Sequence, residues 1–158
     1  MAIPIRNAEP NQALRSRRTF FATTSTSGVR RLPQSDRNAN LLIDVLRTSV
    51  AAKEFELHDF VVMPNHLHPL LTVDEGMTIE KVMQLVNGRF SYRLKKEFGF
   101  ASEVWQRGYS ESRADSEDSL RKHREYIGLN PVRAGLAANP GEYPYCFRYL
   151  ADKKLRRG

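Results

Sequence analysis

The stretch VVMPNHLHPLL (61–71) sets two imidazoles, His66 and His68, one residue apart inside a run that is otherwise apolar. Side chains in a strand alternate faces, so both rings point one way and Leu67 points the other. Two neutral imidazoles side by side can clamp a divalent ion. They can equally be surface histidines on a half-exposed strand, and the spacing alone leaves both readings open. Further along, Lys122, Tyr126 and Asn130 recur at steps of four residues, which stacks them on one side of a helix. A helical tyrosine is ordinarily an amphipathic packing residue. As chemistry it is a latent nucleophile: a phenol ionises only near pH ~10 in water and attacks once it is positioned and its developing charge is stabilised.

The whole chain must build the frame for these groups. Its 158 residues suit one domain with a core of its own. No apolar run is long enough to cross a bilayer, and the N-terminal residues lack the pattern of a secretory signal. A cytoplasmic protein is expected, with no membrane partner. The single cysteine, Cys146, rules out an internal disulfide and reads as a small buried hydrophobe. Lys and Arg number 25 against 18 Asp and Glu, a net charge of +7. A basic soluble domain most often meets a polyanion, of which nucleic acid is the commonest, although a basic surface can also have no partner.

Residues 1–16 are polar and aperiodic and read as a flexible arm, 17–150 as one domain and 151–158 as a frayed basic tail. Strands are expected over 18–26, 55–63, 66–73 and 103–112, the second and third joined as a hairpin by Pro64-Asn65. A helix over 36–55 is expected with Asp36 as its cap. A longer one starts after Thr78, with Ile79, Val82, Val86, Phe90 and Leu94 as its inward stripe. A third helix begins at Asp115 or Ser116 and should stop before Pro131, because a residue preceding proline avoids helical geometry. The order β-α-β-β-α-β, then α, is the α+β, ferredoxin-like split βαβ plan: an antiparallel sheet plus an additional C-terminal helix carrying the tyrosine.

VVMPNHLH, WQRGY and YIGLNPVRAGL, in that order, resemble the REP-associated tyrosine transposases, which belong to the single-tyrosine HUH transposases and nucleases. The likeness runs from about Arg18 to Tyr145. It implies that His66 and His68 are the metal pair, that Asn130 completes the site and that Tyr126 is the nucleophile. A two-histidine site with an amide oxygen suits Mg²⁺ or Mn²⁺ when open positions remain for phosphate oxygens and water. The implied activity is a DNA transposase or endonuclease working by transesterification. Tyr126 attacks a phosphodiester of single-stranded DNA, leaving a 5′-phosphotyrosine link and a free 3′-OH that can later reverse the step. Substrates are expected to be hairpins of repetitive elements, and the protein a monomer or homodimer, nucleoid-associated when bound.

For backbone phosphates the candidates are Arg89, Arg93, Lys95, Lys96, Arg107, Lys122 and Arg133, each of which taken singly reads more readily as part of a solvated helix face. Trp105 and Tyr109 are candidates for stacking bases, with a core role favoured for Trp105. His58 and His123 are left over, His123 being an outside candidate beside Tyr126. Pro69 departs from the family pattern, which has a large apolar residue there. Lacking a ladder donor, it is expected to end or bulge the strand and to disturb His68. Two other readings share these residues: a hairpin-binding protein of the same fold without catalysis, and a phosphoesterase using the histidine pair for hydrolysis. A change of Tyr126 to Phe separates them.

Overall fold

The computed structural model describes residues 17–29 and 31–157, so the N-terminal arm expected over 1–16 lies outside the described residues. Four strands, β1 (Arg18–Ser25), β2 (Glu56–Met63), β3 (His66–Val73) and β4 (Ser110–Arg113), form one antiparallel sheet in the order β2-β3-β1-β4. Four helices accompany it: α1 (Asp36–Ala51), α2 (Ile79–Phe98), α3 (Glu117–Arg133) and α4 (Phe147–Arg157). The α+β split βαβ plan read from the sequence is the fold.

Alternation along the strands divides the sheet into two faces. Phe20 and Ala22 of β1, Phe60 and Val62 of β2, and Leu67 and Leu71 of β3 join the main core. There they meet Leu42 and Leu46 of α1, and Val82, Val86, Phe90 and Leu94 of α2. The opposite face carries a second, smaller core built from Val61, Met63 and Leu70 against Ile127 of α3 and Tyr143 and Cys146 before α4. Tyr143 donates its hydroxyl to the Val62 carbonyl at 2.7 Å, tying the chain after α3 to β2. Cys146 is buried, as its composition suggested.

Several local expectations are corrected. Ser35, not Asp36, caps α1 by accepting from the Asn38 N–H at 3.1 Å. The helix stops at Ala51, and Lys53 just beyond takes a left-handed φ of 60°. Thr78 caps α2 and Ser116 caps α3, as their positions suggest. Pro131 does not end α3, which runs to Arg133. A proline in the last turn forfeits one i−4 bond, and burial of its ring offsets that loss. The basic tail is helical in its backbone through Arg157, so the boundary placed at 150 falls inside α4.

A groove of about 1080 Å³ runs between α3, α4 and the outer edge of β2. Asp59 lines it with its carboxyl pushed up to about 6. Burial drives that rise, against the opposing pull of the Phe60 N–H, Arg124 and Arg148. The folded carboxyl therefore holds a proton between about pH 4 and 6 that the unfolded chain has already lost, and above that window its buried charge costs stability. Asp59→Asn removes that cost. Urea unfolding is expected to show a gain of order 2 kcal/mol at pH 8 that fades to nothing as pH falls through about 4. An equal gain at both pH values would mean that packing, not charge, is responsible.

Candidate active site

His66 and His68 both project from β3 onto the face covered by α3, with ring centroids 4.6 Å apart. Tyr126 comes down from α3 to meet them, its ring edge-on to that of His68 at 5.5 Å. Phe21 of β1 sits between the groups. It stacks on His68 at 5.1 Å and on His123 at 4.8 Å, and meets the edge of Tyr126 at 5.7 Å. The tyrosine is 41% exposed, whereas His68 behind it is only 4% exposed. Because α3 continues through Pro131, Asn130 lies one turn beyond Tyr126, and its side chain acts on the His66 ring as an acceptor that raises the pKa against the pull of burial.

Each imidazole sets its Nδ1 against a polar side chain. His66 Nδ1 lies 2.7 Å from Asn65 Oδ1, and His68 Nδ1 lies 2.9 Å from Thr23 Oγ1. Burial lowers the pKa of both rings, that of His68 to about 4, with the neighbouring His66 charge as the second cause there. Both are therefore neutral at pH 7, the form that ligates a cation. Among the described residues no third His, Cys, Asp or Glu joins them; the candidate third donor is the amide of Asn130. Two neutral nitrogens and an amide oxygen, their partners oriented through the Nδ1 atoms, fit a hard divalent ion that also takes phosphate and water oxygens.

The basic residues separate by place. Arg89 and Arg93 belong to α2, on the far side of the sheet from Tyr126. Arg89 there forms a two-pronged pair with Glu54 at 2.5 and 2.7 Å, and Arg93 bridges Asp44 and Glu97. Lys95 and Lys96 follow them on the same helix, Lys96 lying over the Tyr92 ring. Lys122 pairs with Asp118 on α3. Arg133 ends that helix, exposed.

Arg107 is different, and the reason is a slip in the edge strand. The continuous strand expected over 103–112 is two pieces. Trp105 bridges Thr26 and the Gln106 N–H donates to the Ser25 carbonyl, whereas Ser110 already faces Thr23. Arg107, Gly108 and Tyr109 therefore stand opposite the single residue Thr24. Gly108 makes the kink with a φ of 75°, where a Cβ would be strained. Since Ser25 faces His66 across β1 and β3, this bulge lies level with the histidine pair, two strand spacings or about 10 Å away. Arg107 is exposed and, among the described residues, in no ion pair. Trp105 is buried, donates to the Asn87 carbonyl and packs on Phe90, so it is a core residue. Tyr109 is half-buried against the same core.

Phe21 and Thr23 were not singled out in the sequence. Their alternation marked them as strand residues, and only the pairing of β1 with β3 brings them to the histidines. His123 reaches the site only through Phe21, its Nδ1 at 2.8 Å from the Ser119 carbonyl. His58, on the outer edge of β2, bonds Thr72 and takes no part.

A histidine pair on a sheet, faced by a helix-borne tyrosine, defines a class in which candidate nucleophile and candidate ligands come from separate elements. The chain belongs to the family described as "Transposase IS200 like", whose profile matches residues 28–130, a span that includes His66, His68, Tyr126 and Asn130. It is similar to the REP-associated tyrosine transposase of Escherichia coli (strain K12), 28% identical over an alignment of 138 residues, which covers 84% of this chain and 70% of that protein. Among solved structures it is similar to a REP-associated tyrosine transposase bound to a REP hairpin, with a TM-score of 0.70 at 21% identity over 82% of this chain and 75% of the other. A candidate transposase from Deinococcus radiodurans R1 aligns with a TM-score of 0.55 at 21% identity, over 70% and 88% of the two chains. Among the described residues no helix is long and apolar enough to cross a membrane.

Proposed function

We propose that this protein cleaves and rejoins single-stranded DNA beside hairpin-forming repeats, through a covalent link to Tyr126. The observation that carries the reading is the convergence of His66, His68, Asn130 and Tyr126, with Phe21 packed against His68 and Tyr126. The Tyr126 oxygen forms a new bond to phosphorus as the P–O3′ bond breaks. The phenolic proton is lost, and the departing 3′ oxygen leaves as a hydroxyl. One phosphodiester replaces another, so the step is close to isoenergetic, and a 3′-OH reverses it without a nucleotide cofactor. Mg²⁺ or Mn²⁺ held by His66, His68 and Asn130 would supply Lewis-acid polarisation of the scissile phosphate. The chain's own contribution is positioning: Phe21 and His68 hold the tyrosine ring in place. The hairpin preference rests on the similarity to a transposase solved with a REP hairpin.

The test is a denaturing gel of the protein with labelled hairpin DNA bearing a single-stranded flank, with Mn²⁺, Mg²⁺ or EDTA. A metal-dependent covalent adduct is expected. Binding without an adduct, over several hairpins and both metals, would favour a binding protein of the same fold.

Arg107, exposed and in no ion pair among the described residues, gives a second expectation. Arg107→Ala should lower affinity for the flanked hairpin and reduce the slope of log affinity against log salt by about one. Arg89→Ala, on the far face, should leave that slope unchanged while weakening the fold by breaking its pair with Glu54. Equal slopes for both variants would remove Arg107 from the interface.

A further inference from the structure

We propose that Pro69 is a positioning residue for His68: by withholding a ladder donor, it releases the Ala22 carbonyl to hold the imidazole with Nδ1 protonated and Nε2 presented outward. The pairing of β1 with β3 runs without fault from Arg18↔Val73 to Phe21↔Leu70 and resumes at Thr24↔Leu67. The two positions missing between them are Ala22 with Pro69 and Thr23 with His68. Backbone bonds in an antiparallel ladder fall at every second pair. The Thr26 N–H donates to the Asn65 carbonyl at 2.9 Å, so two-residue steps from there put Ala22 and Pro69 in a pair that should exchange both bonds. Proline has no N–H to give. On its other side β3 keeps its pairing with β2, Phe60↔Pro69 and Val61↔His68 included. The strand therefore neither ends nor bulges at Pro69, and the deficit falls on one group, the carbonyl of Ala22.

That residue is fully buried, and a buried carbonyl without a donor is as costly as a lost hydrogen bond. The donor we assign to it is His68, on whose ring the Ala22 backbone acts as a hydrogen-bond acceptor that raises the pKa against the pull of burial. Nδ1, the ring nitrogen nearer the chain, already faces Thr23 Oγ1 at 2.9 Å, beside the peptide that joins Ala22 to Thr23. Stacking on Phe21 at 21° fixes the ring plane. A carbonyl can only accept, so the nitrogen that serves it carries the proton and Nε2 keeps its lone pair. His66 likewise sets its Nδ1 against an oxygen, Asn65 Oδ1, at 2.7 Å. Imidazoles that bind a metal commonly donate their other nitrogen to such a partner. Pro69, an oddity in the strand, thus becomes part of the support for the site. This reading rests on the histidine pair being the cation site, and the tautomer can be measured without any cation.

The experiment uses ¹⁵N-histidine-labelled protein at pH 8, free of metal and DNA, with long-range ¹H–¹⁵N spectra to read the His68 tautomer. Four proteins are compared: the natural sequence, Thr23→Val, Pro69→Val and the double variant. Each is then titrated with Mn²⁺. The natural protein and Thr23→Val are expected to show protonated Nδ1, since Ala22 still accepts. In the double variant the restored N–H closes the ladder, Nδ1 loses both partners, and the tautomer shifts toward protonated Nε2. Its Mn²⁺ dissociation constant should then exceed that of Thr23→Val by about tenfold. If valine disturbs the packing against Phe60, Pro69→Ala supplies the same donor with a smaller side chain. An unchanged tautomer and unchanged Mn²⁺ affinity on adding either substitution to Thr23→Val would overturn the proposal. A tautomer shift with no Mn²⁺ binding in any of the proteins would uphold Pro69 as the positioning residue and count against the cation site instead.

Discussion

Tyr126→Phe is expected to abolish the covalent DNA adduct, with cleavage falling by at least about 10³-fold, while hairpin affinity stays within about twofold. The substitution removes one oxygen and leaves the ring, so the edge contacts with Phe21 and His68 survive. Covalent chemistry has no substitute for that oxygen, whereas binding draws on phosphate contacts spread over the surface. The two readouts therefore separate cleanly. Cleavage that persists in Tyr126→Phe without an adduct would mean hydrolysis by water, the phosphoesterase alternative. Loss of adduct and affinity together would mean that the ring change had disturbed α3, which an amide spectrum would reveal.

The second large effect is expected at His68. His68→Ala should lower the rate of DNA cleavage by about 10²–10³-fold and weaken Mn²⁺ binding, because Lewis-acid stabilisation of a phosphoryl oxygen contributes several kcal/mol. The substitution also empties a place beside Phe21, Thr23 and Tyr126, so part of the loss could come from a displaced tyrosine. Asn130→Ala separates the two causes. It removes the side chain that accepts from the His66 ring while leaving Phe21 and His68 themselves intact, and should lower Mn²⁺ affinity and cleavage in the same sense by a smaller factor. His58→Ala is the control. That histidine stands on a neighbouring strand, bonds Thr72, and should leave both quantities unchanged. If His58→Ala weakened Mn²⁺ binding as much as His68→Ala, the cation would sit on another part of the sheet.

Much of this arrangement is written in local patterns. One intervening residue in a strand puts His66 and His68 on the same face whatever the rest of the chain does, and four residues in a helix do the same for Tyr126 and Asn130. The stripe from Ile79 to Leu94 declares the buried side of α2. These are properties of backbone periods and need no partner. Which face of the sheet each group met was decided by packing. The strand alternation fixed that Leu67 opposes the histidines, but only the docking of α1 and α2 under Leu67 left the other face to α3. That choice carries Arg89 and Arg93 away from the tyrosine, a separation no count of charges could give. It also makes Phe21, one aromatic in a run of strand residues, the contact shared by His68, His123 and Tyr126.

The mismatches have the same origin. Pro131 reads locally as a stop, yet its burial keeps it within α3. WQRGY reads as one strand, yet two registers against β1 force three residues to stand opposite one and lift Arg107 out of the sheet. Pro69 reads as a break in β3, and the break is a single missing bond because β2 holds the strand from the other side. Local sequence determined the spacing of the reactive groups, since helix and strand periods are short-range and stereochemical. Their meeting was left to the tertiary structure, because burial and strand register depend on residues far apart in the chain.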